Sequence, residues 1–267
     1  MEKKTGKCKE YNSYGKLKFE GEYLNGEING KGKQYKCDSN YYLEFEGEYI
    51  NGKKNGIIKE YYKDSQLLSE GEYVNDKKNG KIKIFTEKFK EYDAYLLFEG
   101  EYLDGEKNGK GKEYKDNSEI IFEGEYLNNK RWIGKGKEYY FYEDVLKFEW
   151  EYLNGKKWNG KGYNINGNIE YELINGEGYV KEYNHRDKLI YEVEYLNGEK
   201  NGNGKEYDVW DMAIIFEGEY KNGKRWNGKG KEFDDDYHLI FKGEYINGKQ
   251  IYSWNIIVLF FIFIKNK

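Results

Sequence analysis

One stretch, FEGEYLDGEKNGKGKEY at Phe98–Tyr114, is copied along almost the whole chain, and that repetition leaves few folds open. Aligned on the first residue of the opening run, units start at Phe19, Phe45, Ser69, Phe98, Phe122, Phe148, Ile169, Tyr191, Phe216 and Phe241, most of them about 24 to 26 residues apart. A fixed period of this length points to an array of stacked units, so the 267 residues are not expected to share one compact core.

Within a unit, Phe98, Gly100 and Tyr102 fall on one side of an extended strand, and Glu99 and Glu101 on the other. A second short run, Lys110–Tyr114, can set its lysines against those glutamates as cross-strand pairs of roughly 0.2 to 1 kcal/mol each. The two runs are joined by Asn-Gly or Asp-Gly in most units, as at Asn25-Gly26, Asp104-Gly105 and Asn247-Gly248. Such pairs supply the positive φ of a tight hairpin. Each unit therefore reads as a β-hairpin, and polar turns such as Asp234–Tyr237 link one hairpin to the next. The absence of proline agrees, since proline cannot donate to a sheet ladder. The expected fold is all-β: an elongated single-layer antiparallel meander of about ten β-hairpin repeats, on the order of 100 Å long at about 4.8 Å per strand.

Only 37% of the residues are hydrophobic and 35% are charged, a balance that suits disorder unless large rings compensate. They do, with 19% aromatics, so a thin sheet with Phe/Tyr stacks on one face and Glu/Lys ladders on the other is affordable. The 45 basic and 49 acidic residues are interleaved, leaving no basic stripe for a phosphate backbone and making nucleic acid a poor partner. Residues 1–11 hold no apolar stretch of a secretory signal, and Cys8 and Cys37 cannot form a disulfide framework. A cytoplasmic protein is expected, with peripheral membrane or cytoskeletal association as variants of that reading.

The array is expected to span residues 1–250. It opens with a half-unit over residues 5–18, in which Cys8 takes the slot of Gly32, Gly111 and Gly230 as a structural thiol. The apolar C-terminal tail, 251–267, breaks the pattern. Its run Ile256–Ile264 is about 14 Å long as a helix and cannot cross ~30 Å of hydrocarbon. A cap on the sheet edge, a shallow anchor and a stretch translated outside the true frame are the three readings.

Catalytic patterns are missing. His185 and His238 are the only histidines and both fall in expected turns, while Gly109/Gly111 lack the third glycine and the helix of a dinucleotide loop. Asp234–Asp236 lacks the alternating oxygen ligands of a calcium loop. No enzyme activity, metal or cofactor is expected. Two departures from the repeat stand out as candidate partner-binding or lipid-binding positions. Arg131-Trp132, Lys157-Trp158 and Arg225-Trp226 fall in the expected hairpin loops, where other units carry Lys and Asn. A tryptophan beside a cation suits a protein interface or a membrane headgroup layer; the alternative is that each indole folds back over the neighbouring hairpin. Trp150, Tyr171 and Val193 fill the glycine slot of FEGEY in three consecutive units, through drift or as a bend or recognition patch.

The units resemble MORN repeats, whose aromatic-x-Gly-x-aromatic-x-Asn-Gly…Gly-x-Gly pattern is matched at Phe98–Gly111, Phe19–Gly32, Phe122–Gly136 and Phe216–Gly230. The run KEYKDNSEIIFEGEYLNNK also looks like the longer variant of some YwqK-type antitoxin-like proteins. The resemblance covers about residues 5 to 250 and implies an antiparallel ribbon that scaffolds proteins, forms homodimers through sheet edges or sits near membranes. The leading expectation is a non-enzymatic scaffold for protein partners, docking through the aromatic face or the Trp positions. A peripheral module for anionic phospholipid is the first alternative and a carbohydrate-binding aromatic array the second.

Overall fold

The computed structural model describes residues 3–37, 41–87, 94–115, 119–141 and 143–252. Among these described residues the fold is all-β: 21 strands run in sequence order from Gly6–Tyr11 to Lys249–Tyr252. Each recorded pairing joins a strand antiparallel to the next one in the chain, as in a hairpin meander. The chain divides into two compact units, residues 1–134 and 135–267. The tail beyond Tyr252 lies outside the described residues.

The hairpins form where the repeat places its turn residues. Asn25 and Gly26 take φ of 52° and 90°, both central residues of a primed turn that matches the twist of the flanking strands. The worn turns keep this geometry: Asn75-Asp76 has φ of 51° and 71°, and Asn128-Asn129 has 49° and 66°. Asn and Asp tolerate the left-handed region well enough to replace the glycine. Between hairpins, Asn12, Asn164, Asn184 and Asp234 each accept two backbone N–H bonds from residues two and four positions on, closing the links as Asx turns. His185 and His238 fall in these links, and the opening half-unit pairs Cys8 with Gly21 as Gly32 pairs with Gly47.

Consecutive hairpins are also tied at their tips. In the first unit, backbone N–H of Gly26, Gly52, Asp76, Gly105 and Asn129 donates to a carbonyl of the preceding hairpin or lead-in segment, at Lys4, Ile28, Lys54, Lys78 and Lys107, over 2.8–3.0 Å. In the second unit, Gly176, Gly198, Gly223 and Gly248 do the same. These bonds satisfy turn donors and set the stagger of each hairpin on the one before.

The core lies along the aromatic face. Phe98 meets Tyr102 and Tyr126 edge to face, with centroids 5.7 and 5.6 Å apart, and Phe216 meets Tyr220 and Tyr245 in the same way. Such pairs add about 0.5–1.5 kcal/mol each beyond the area they bury. Where one unit replaces the phenylalanine with Ser69, Ile58 and Ile82 replace the small residues of the second strands and are fully buried. The hydroxyl of Ser69 donates to Glu60 over 2.6 Å.

Candidate binding groove

The aromatic face is sealed from solvent by its own charged residues. Lys107 lies 4.1 Å from the Phe98 ring centroid and 3.0 Å from the carboxylate of Glu113. The guanidinium of Arg131 pairs with the same carboxylate and lies 4.8 Å from the Phe122 centroid. Burial pushes the Glu113 carboxyl up, but hydrogen bonds from Arg131 and Lys107 outweigh it and hold the group below the usual carboxylate range. The second unit repeats the device: Arg225 lies over Phe216, pairs with Glu206 over 2.8 Å, and donates to the Tyr245 hydroxyl over 3.1 Å. Lys200 pairs with Glu182 over 2.9 Å in the same way.

This lid changes the expected docking surface. Phe19, Phe98, Phe122, Phe216 and Phe241 are buried, so the aromatic face does not offer these rings to a partner. The candidate residues are drawn into the same packing. Arg131 and Arg225 are lid residues, and Lys157 lies 5.4 Å from the Phe148 centroid and 4.6 Å from that of Trp150. Trp132, Trp158 and Trp226 stand in the strands Lys130–Tyr139, Lys156–Tyr163 and Lys224–Phe233, half-buried, and not at loop tips. The Trp226 ring lies against Gly248 and the Trp158 ring against Gly176, each the turn of the following hairpin. Trp150 and Tyr171 are buried with Phe148, Leu173 and Val180, and the Tyr171 hydroxyl donates to the Lys181 carbonyl over 2.7 Å. Val193 is fully buried beside Phe216.

The reason is a register change. In the usual hairpin Gly100 faces Gly111 and Tyr102 faces Lys107, so three residues of the second strand bulge opposite Glu101. With Trp226 present, Gly218 faces Gly228 and Tyr220 faces Arg225, leaving Trp226 as a single bulged residue. Trp158 occupies the same place between Asn159 and Lys157.

The opposite face carries the ladders expected from the sequence. Lys9–Glu20 and Lys33–Glu46 approach to 3.3 Å and Lys112–Glu123 to 3.0 Å. Tyrosines that end the second strands reach the same glutamates: Tyr35 donates to Glu20 over 3.1 Å and Tyr114 to Glu99 over 2.6 Å. Burial and the adjacent carboxylate push both phenols up to about 12.

In the first unit this face is hollowed into two adjoining grooves of about 650 and 870 Å³. Glycines at 21, 32, 47, 71, 100, 111, 124 and 134 line them. The glycine backbones approach closely across the ladder, with the Phe98 and Phe122 rings filling the space of the missing side chains on the other face, and Lys and Glu side chains form the walls. Along the hairpin side runs a second row of glutamates, Glu22, Glu48, Glu72, Glu101 and Glu125. Glu101 accepts the backbone N–H of Lys110 over 2.8 Å.

Two residues further along each strand stand Leu24, Ile50, Val74, Leu103 and Leu127, all exposed. Sequence reasoning missed this aliphatic row, although its signal was present as the apolar residue before each turn. It also missed the groove: the missing side chains at Gly100 and Gly111 make room for the Phe98 ring on the aromatic side, and the backbone left bare on the other face has no signal in the sequence.

The family model described as the MORN repeat matches residues 19–41, 45–64, 70–81, 98–119, 191–210 and 216–236. No curated protein matches. Among solved structures, the chain is similar to the crystal structures of TcdB2-TccC3-Cdc42 and TcdB2-TccC3-TEV, at 11% identity and a TM-score of 0.17 in both cases. It covers 89% and 90% of itself in these alignments and spans 15% of the matched chains.

Proposed function

Because this chain is built of MORN repeats, we propose that it is a non-enzymatic platform whose glycine-lined groove on the Glu/Lys face holds segments of partner proteins. The groove itself carries this reading. It is a large concave surface on the face opposite the lid residues, and its floor exposes backbone where a partner can approach closely. Large exposed side chains set across it test the idea: Lys31→Trp and Lys110→Trp should remove partners recovered with the unaltered protein while the circular dichroism spectrum stays the same. Full recovery of those partners by both variants would overturn the groove reading.

A phospholipid surface is the second reading, favoured by the exposed row Leu24, Ile50, Val74, Leu103 and Leu127. Co-sedimentation with vesicles containing anionic lipid, set beside a variant with Leu24, Ile50 and Leu103 changed to Ser, decides it, since that reading requires the variant to lose binding. The carbohydrate reading draws no support from the repeat's own phenylalanines, because Phe19, Phe98, Phe122, Phe216 and Phe241 are buried.

A further inference from the structure

Asparagine followed by glycine is chemically labile, because the backbone nitrogen of the glycine, with no side chain beside it, can attack the side-chain amide carbon. The repeat places this pair at its hairpin tips, and two tips of the first unit keep it, Asn25-Gly26 and Asn51-Gly52. Their backbones match, with φ of 52° and 90° at the first and 50° and 77° at the second, and all four residues are exposed. They differ in what holds the reacting groups. At the second tip the Gly52 N–H donates over 2.8 Å to the carbonyl of Ile28, inside the strand Glu27–Cys37, and the Asn29 carboxamide donates over 3.3 Å to that of Asn51. Asn108 holds Asn128 at the same distance. At the first tip the Gly26 N–H donates over 2.8 Å to the carbonyl of Lys4, which precedes the strand Gly6–Tyr11. Gly6 faces Tyr23 as Gly30 faces Tyr49, so Thr5 takes the place of Asn29. Its hydroxyl accepts the Asn25 N–H over 3.3 Å, and among the described residues the Asn25 carboxamide has no hydrogen-bond partner.

We propose that Asn25 is a self-modifying site, which converts spontaneously to aspartate and isoaspartate while Asn51 is held back by its ties. The Gly26 nitrogen gives up its proton to hydroxide and forms a bond to the Asn25 Cγ; the bond from Cγ to Nδ2 breaks, and ammonia leaves with a proton taken from water. Water then opens the five-membered imide at one of its two carbonyls, which yields aspartate or isoaspartate with no change of oxidation state. The first step needs the Gly26 N–H free of its acceptor and the carboxamide turned toward it. An acceptor outside the ladders releases its donor more readily than one within them, and an untied carboxamide turns without breaking a bond. Either product adds a negative charge, and isoaspartate also lengthens the turn backbone by a methylene, so the first hairpin loses the two-residue turn that sets its register.

The full chain is kept at pH 8.5 and 37 °C, sampled over weeks and digested with trypsin. Peptide masses follow the replacement of amide by hydroxyl, and fragment spectra separate Asn25 from Asn29, which share the peptide Phe19–Lys31. Asn25 should convert at least threefold faster than Asn51, the scale of one hydrogen bond. Thr5→Asn, which restores the residue found at Asn29, Asn55 and Asn108, should slow Asn25 at least threefold, and Asn29→Thr should speed Asn51 by as much. Thr5→Asn, at an exposed position, answers the question alone should Asn29→Thr fold poorly. Equal rates at the two tips, faster conversion of Asn51, an Asn25 rate that Thr5→Asn leaves unchanged, or an Asn51 rate unchanged in folded Asn29→Thr would each overturn the assignment.

Discussion

Gly100 shows how little freedom a single position has in this fold. A methyl group there would sit 2.7 Å from the Gly111 Cα and 2.8 Å from the Lys110 carbonyl oxygen, both backbone atoms that cannot rotate away. Gly100→Ala should therefore cost about 1–3 kcal/mol, read as a lower urea midpoint. Gly105, with φ of 91° and open space around it, should lose nearer 1 kcal/mol on the same change, from strain alone. Ser69 is the complementary case, where removing a ring admits Ile82 at the neighbouring glycine slot. Single residues of this kind were legible from the repeat as departures, yet their burial was not. Trp150 and Ser69 break the pattern equally, and only their neighbours reveal that one adds bulk to the core and the other makes way for it.

At the level of the hairpin, one residue decides the register. Gly105 and Gly109 are separated by Glu-Lys-Asn, whereas Gly223 and Gly228 are separated by Lys-Arg-Trp-Asn. The longer spacing coincides with Gly218 facing Gly228 in place of the Gly100–Gly111 type of pairing, and with Trp226 as the bulge. Deleting Trp226 should return the hairpin to the commoner register, moving the residue opposite Gly218 from Gly228 to Gly230. Cross-strand Hα contacts in NMR spectra distinguish the two pairings, and persistence of the Gly228 pairing would show that the extra residue does not set it. The hairpins and their turns were legible because Asn-Gly and period-two patterning are local signals. The placement of Trp132, Trp158 and Trp226 was not, since a loop and a bulge beside a loop contain the same residue types.

Across the whole molecule, tyrosine chemistry sets an alkaline limit. Tyr114, Tyr163 and Tyr191 are pushed up to about 12, chiefly by burial and then by the carboxylates of Glu99, Glu149 and Glu206. The folded state thus retains protons that the unfolded chain releases near pH 10, and stability falls wherever the native state binds more protons. The thermal midpoint should be steady from pH 7 to 9 and fall by several degrees between pH 10 and 12. A midpoint unchanged at pH 11 would contradict the buried phenol–carboxylate pairs. At the acid end Glu60 and Glu113 are held low, so their contribution is present above the usual carboxylate range and is lost as pH drops through it. The all-β meander was legible at this scale because every unit repeats the same instruction. Which face remains open was not, because it depends on lysines and arginines crossing over the rings.

The bonds between successive hairpin tips also bear on how each unit responds to force. Strands that pair only with their chain neighbours detach one at a time when an end is pulled, as in a zipper, and each hairpin released breaks two ladders together with one tip bond such as Gly105 N–H to Lys78 O. On relaxation the tip bond gives a returning hairpin a reference point outside its own two strands. A hairpin that closes two residues out of step would leave that donor without its acceptor. Each repeat is thereby checked against the one before it, and an error of register is detected where it arises and is not passed along the array.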